Sequence, residues 1–234
     1  MPNSKVICVL EDEFIKEHLD LIDEYCVDMA TIERAIYINA NVFTSTQRDI
    51  LFTHSIAMLY SIWEGFVTKS FSLYIDFING QGISYDRLNG NLLIYIMEHR
   101  FKQFKEYPEK DNKKTKFFTE LYAHCQSGIP QIEHIVDTED NVGFEVLNKL
   151  LKAFGLKEFN ERWKSYNYPR PTLKDIMKTF LIYRNAVAHG GDISNEEAMT
   201  QDKYNIYRTL IRDLMYGMHE RFLDGISEKT YMKG

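Results

Sequence analysis

Three cysteines, five prolines and twelve glycines are few for 234 residues, and each shortage excludes something. Cys8, Cys26 and Cys125 are odd in number, far apart and without C-x-x-C spacing, so they read as reduced thiols rather than a disulfide framework or a zinc site. No Ser/Gly/Pro-rich stretch marks a linker, which favours a single domain over residues 1–234. There is no run of about 18 uncharged apolar residues, so no membrane span is expected. The N-terminal MPNSKVICVLEDEF meets acids too early for a signal peptide, and the expected location is cytoplasmic. H-E-x-x-H, a glutamate three places before any histidine, G-x-x-x-x-G-K-[ST], G-x-G-x-x-G and G-x-S-x-G are all absent. Metalloprotease, di-iron, nucleotide, dinucleotide and serine-hydrolase chemistry therefore lack support, and neither metal nor cofactor is expected. A basic excess is missing too: 28 Lys and Arg face 34 Asp and Glu, for a net charge of −6. Any contact with nucleic acid must then rest on local basic groups in an unfavourable overall field.

What the chain does have is apolar and aromatic residues, 44% and 14%, enough to bury a substantial core, with a charged fraction that argues against disorder. Their spacing is helical almost everywhere. The pattern predicts an all-α bundle with core helices near 12–38, 46–79, 172–189 and 194–225, and a helical insertion at 84–170 between the second and third. The second core helix follows the cap-like TSTQ and carries Ile56, Leu59, Trp63, Phe66, Val67, Tyr74, Phe77 and Ile78 at three- and four-residue steps. Within the insertion, 87–106 reads as helix, PEKDNKKTK (108–116) as a solvated turn, 117–124 as helix, and 143–154 as an amphipathic helix stopped at Gly155. Thr172 with Asp175, and Ser194 with Glu197, give capping patterns for the last two helices. A short strand at Lys5 to Leu10 is the one non-helical expectation.

The stretch YRNAVAHGG, residues 183–191, concentrates the chemistry. At 100° per residue, Leu173, Ile176, Met177, Phe180, Tyr183 and Val187 share a face with Arg184 in its middle. A guanidinium aimed at the core or an interface demands a partner, because an unpaired charge out of water is costly. Glu64 of the second helix is the candidate. Asn185 and His189 share another stripe with Lys174 and Lys178, which makes the two lysines candidate RNA contacts. Ala186 and Ala188 allow close approach, and Gly190-Gly191 ends the helix. A histidine near a helix C-terminus beside an arginine can cleave RNA without metal: the imidazole moves the proton and the guanidinium stabilises phosphate charge. In-line displacement needs a base and an acid on opposite sides, so a second histidine from a dimer mate is attractive.

Arg184-Asn185-x-x-x-His189 resembles the R-x(4–6)-H motif of the HEPN superfamily, with the polar residue after the arginine. LYSIWEGFVTKSF, residues 59–71, resembles the Trp-Glu-Gly-Phe helix of one prokaryotic branch. The two helices and the last one cover about half the chain; the insertion has no motif with a counterpart. The resemblance implies a HEPN-like helical bundle acting as a metal-independent endoribonuclease, with tRNA the substrate suggested by the family, as a homodimer with a composite active site. It implies a toxin or antiviral defence effector, with an antitoxin or defence-complex protein as a further partner. Carried over, Arg184 and His189 are catalytic and Asn185 orients them. The tyrosine that marks HEPN toxins silenced by tyrosine modification is Gly191 here, so that regulation is not implied. The competing reading is a catalytically silent helical dimer that binds RNA, nucleotide or a protein, with Arg184 as a structural ion pair and the lysines as solvated helix residues. Trp63 is expected in the core, Lys113, Lys114 and Lys116 in a loop, and His54, His99, His124 and His219 in packing or surface roles.

Overall fold

A 36-residue helix, Ser45–Gly80, forms the axis on which the rest of the molecule is assembled. The computed structural model describes residues 4–126, 128–139, 141–162, 171–188 and 199–233. Over these it contains α1 (Ser4–Glu33), α2 (Ser45–Gly80), α3 (Gly90–Arg100), α4 (Asp111–Gln126), α5 (Phe144–Ala153), α6 (Leu173–Ala188) and α7 (Gln201–Glu228), with no strand among the described residues. The all-α expectation holds.

α2 starts with a reciprocal cap: Gln47 N–H donates to Thr44 Oγ1 and Thr44 N–H to Gln47 Oε1. By length and composition it could cross a bilayer, but Ile56, Trp63, Phe66, Phe71, Tyr74 and Ile78 pack into the protein. It lies against α1, α6 and α7. Gly65 has a steric reason in this packing, since a Cβ there would lie 2.9 Å from the Tyr25 hydroxyl of α1. Tyr74 sits at the centre of an aromatic cluster with Phe14, Phe77, Phe154, Phe222 and Tyr231. Each such pair adds about 0.5–1.5 kcal/mol beyond its buried area.

Several boundaries differ from expectation. Residues 5–10 are helical, the first turns of α1, and no strand is there; one short apolar run has no neighbouring strand to satisfy its backbone, whereas a helix satisfies its own. The end of the first helix is a π-helix, Arg34–Ile38, which turns Ile36 and Tyr37 inward. The helix expected over 87–106 is shorter, α3 alone, followed by a 3-10 turn at Lys102–Phe104. Lys113, Lys114 and Lys116 are on a helix rather than in a loop, because α4 already begins at Asp111, whose carboxylate suits a helix N-terminus. α7 begins at Gln201, with the Thr200 side chain accepting from Lys203 N–H, and runs through Gly225 to Glu228. The proposed Ser194–Glu197 cap lies outside the described residues. Gly225 allows a close approach rather than a stop: a Cβ would lie 2.8 Å from the Tyr74 hydroxyl.

The described part of the 84–170 region is tied to the body through Asn89 and α5. Asn89 binds the C-terminal segment through its backbone N–H to Tyr231 O and its side chain to Thr230 O. α5 packs on α3 and α6, and Gly155 closes it at φ +73°, where a Cβ would meet Thr230 O at 2.6 Å.

Candidate functional site

Between α4 and α5 the chain runs back along α2 as a strap. Asn79 exchanges two hydrogen bonds with the backbone of Ile132, and His134 pairs with Asp76 at 2.7 Å. Further along, Thr138 donates to Glu64 Oε1 at 3.1 Å. Val142 N–H donates to the Tyr60 hydroxyl at 2.8 Å, while Trp63 Nε1 donates to Val142 O at 2.9 Å. From Asn79 to Tyr60, α2 advances about 28 Å at 1.5 Å per residue. The strap is irregular along this length: Glu139 takes φ +49° and Asn141 N–H donates to Thr138 O at 2.9 Å. At Ile132 and Val142, where the strap's backbone meets α2, the side chains of Asn79, Tyr60 and Trp63 satisfy it.

The strap delivers Asn141 to α6. Arg184 Nη1 donates to Asn141 Oδ1 at 3.1 Å and to Asn185 Oδ1 at 2.8 Å, and the guanidinium lies 4.4 Å from the centre of the Tyr60 ring. The cation is half-buried and held by an amide from the strap, an amide from its own helix and an aromatic face from α2. A stacked guanidinium of this kind gains about 0.5–2 kcal/mol from the ring, depending on desolvation. Tyr60 is fixed in turn by its bond from Val142 and by its ring contact with Phe180.

This geometry corrects the pairing expected for Glu64. Its carboxylate accepts from Thr138 and does not pair with Arg184. Glu64 and Arg184 instead hold the same strap from two helices, three residues apart. Spacing placed the two residues on facing helices but could not show the backbone that runs between them. Trp63 is fully buried, as expected, and its indole N–H is one of the strap's anchors.

The remaining site candidates are distributed along α6. Thr172 and Asp175 form the expected reciprocal cap, with Asp175 N–H donating to Thr172 Oγ1 and Thr172 N–H to Asp175 Oδ2. The bonds from Thr172 hold the Asp175 carboxyl below the usual carboxylate range. Lys174 is ion-paired with Glu145 of α5 at 2.5 Å, and Lys178 is exposed. Ala188 is the last described residue of α6, so His189, together with Gly190 and Gly191, lies outside the described residues. Tyr60 and Asn141 are the site residues that sequence reasoning missed. Nothing in the sequence sets Tyr60 apart from the other aromatics of α2 or Asn141 apart from other loop amides.

Among the described residues, no group of three or more His, Cys, Asp or Glu side chains is placed to hold a metal ion. The arrangement holds a guanidinium, a group whose planar fork suits phosphate in general, five positions before an imidazole in the sequence. The sequence model of the RiboL-PSP-HEPN family matches residues 20–224. No curated protein and no solved structure gives a significant match.

Proposed function

The chain belongs to the RiboL-PSP-HEPN family, and on that premise we propose that it is a metal-independent endoribonuclease. The observation that carries this reading is the fixation of Arg184 by Asn141, Asn185 and the Tyr60 ring, on the helix that leads to His189. Preorganised positive charge stabilises a transition state best when it need not move during the reaction.

In the proposed reaction the ribose 2′-oxygen attacks its own phosphorus and the P–O5′ bond breaks. His189 accepts the 2′-hydroxyl proton, and Arg184 binds the charge developing on the non-bridging oxygens. A second imidazole, His189 of another copy, protonates the departing 5′-oxygen. The products are a 2′,3′-cyclic phosphate and a 5′-hydroxyl. We extend the proposal to a homodimer with a composite cleft, acting on cellular RNA such as tRNA as a toxin or defence effector restrained by a protein partner.

Purified wild type and His189→Ala are incubated with total RNA in EDTA and the fragment ends analysed. Discrete wild-type products with 2′,3′-cyclic phosphate ends, absent from the variant, are expected. A folded wild-type dimer that binds RNA without cutting it would replace the enzyme with a silent binding module.

A further inference from the structure

α4 stands apart from the main core. Its one buried side chain is Phe117, 2% exposed, which together with Phe101 forms a small aromatic centre outside the principal apolar cluster. Phe101, Phe104, Tyr107 and Phe118 all have their ring centres within 5.0–6.4 Å of Phe117. This centre fixes rings that are themselves about half in solvent, Phe104 48% exposed, Tyr107 57% and Phe118 52%, and Tyr122, one helical turn beyond Phe118, is 67% exposed. Tyr216 is the one other Phe, Tyr or Trp among the described residues exposed to this degree.

The charge of the same segment is opposite to that of the molecule. Residues 100–122 carry seven Lys and Arg against four Asp and Glu, a net +3, whereas the whole chain is −6. Lys110, Lys113 and Lys116 line a cleft of about 550 Å³ with Phe117 and with Glu106, Glu109 and Glu120, so the excess of positive charge belongs to the lobe as a whole and not to this cleft. Lys116 and Lys114 touch Glu120 and Asp111 at 3.8 and 3.7 Å, surface pairs weak enough to yield to a phosphate. Lys114 also approaches the Tyr107 ring. At 1.5 Å per residue Lys114, Phe118 and Tyr122 follow one another about 6 Å apart along one stripe of α4.

We propose that this lobe, residues 100–122, is an RNA-recognition arm that takes unstacked bases of single-stranded or looped RNA on Phe118, Tyr122 and Tyr107, with Lys114 of the same stripe on a phosphate and the lysines of the neighbouring face drawing in the backbone by charge. Exposed rings reward bases that are free to leave their stack, and a basic fringe tracks the backbone without reading sequence. A duplex offers phosphates but no free base faces. The inference rests on the ribonuclease reading and adds to it how the substrate is held away from Arg184.

The test uses full-length His189→Ala, which cannot consume its ligand, and a fluorescein-labelled mixed-sequence single-stranded RNA beside its duplex. Two variants are made in that background: Phe118→Ala with Tyr122→Ala, and Lys110→Gln with Lys113→Gln and Lys116→Gln. All altered side chains are exposed, and unchanged melting verifies the fold. The aromatic pair is expected to weaken single-strand binding about tenfold or more. The lysine set is expected to lower the slope of log K against log salt by about 2. Single-strand binding unchanged by both sets, or equal binding of duplex, would overturn the arm and leave the nuclease reading standing. No RNA binding by His189→Ala itself would overturn both.

Discussion

Asn141→Ala isolates the strap's contribution to the site. The substitution removes the acceptor 3.1 Å from Arg184 Nη1 and leaves Asn185 and the Tyr60 ring in place. A hydrogen bond to a charged group contributes about 1.5–3 kcal/mol when well buried. Arg184 is half-buried and water can replace part of the bond, so about 1 kcal/mol of stability is at stake, a shift of about 2–4 °C in Tm for a chain of this size. The effect on rate should be far larger, because a catalytic cation displaced by about 1 Å loses on the order of a hundredfold. Single-turnover cleavage in EDTA should therefore fall by one to two orders of magnitude while the protein remains folded. Asn141→Asp sharpens the test: a carboxylate at the same position keeps or raises the melting temperature by pairing with Arg184, and neutralises the charge the phosphate needs. Activity should fall with stability intact. An Asn141→Ala enzyme that cuts as fast as wild type would refute the view that the strap positions the arginine.

Two further outcomes follow from neighbouring geometry. Glu64→Gln keeps an oxygen to accept from Thr138, so stability and cleavage should stay near wild type; a large loss of either would restore a direct Glu64–Arg184 pair. The buried histidines set an acid limit. His18 Nδ1 lies 3.0 Å from His219 Nδ1 amid Phe14, Phe66 and Phe222, and His18 Nε2 has no hydrogen-bond partner among the described residues. Burial first, then repulsion from His219, lowers His18 from the ordinary 6.5 to about 3. His219 is itself lowered by burial, with Glu220 opposing. Between those values the unfolded chain binds a proton that the folded one refuses, so stability is full above about pH 6.5 and falls as pH drops, by about 1.4 kcal/mol per pH unit for one proton. Urea midpoints from pH 7 to 4.5 should fall less steeply for His18→Leu than for wild type, and equal slopes would refute the assignment.

Legibility in the sequence follows the range of the interactions. α2, α5 and α6 could be read because local signals, an apolar period and a flanking cap, decide them: Thr44 with Gln47, Thr172 with Asp175, Gly155 after α5. Arg184 could be singled out because a guanidinium inside an apolar stripe contradicts its surroundings. The strap could not be read. It has neither period nor cap, and its conformation is dictated by Tyr60, Trp63, Glu64, Asp76 and Asn79, all 53 or more residues away in sequence. Glu64 shows the consequence: the sequence supplied the right helix, and a contact between chain-distant segments decided the partner. The π-helix at Arg34–Ile38 and the passage of α7 through Gly225 escaped for the same reason, being settled by what packs alongside.

The separation of charge bears on how an acidic protein can handle RNA. With +3 on residues 100–122, the remainder of the chain carries −9. A polyanion is attracted to the arm and repelled elsewhere, except where a fixed cation such as Arg184 faces it. Held at the proposed arm, an RNA strand would have few other favourable places to lie, so the acidic body would act against non-productive binding as much as the lysines would act for capture. Salt then has two opposing effects. It weakens the lysine–phosphate contacts and at the same time screens the repulsion from the body over roughly 8–10 Å. Overall binding should lose affinity with salt less steeply than the lysine contacts alone would dictate, and removing Lys110, Lys113 and Lys116 should flatten that dependence or reverse it.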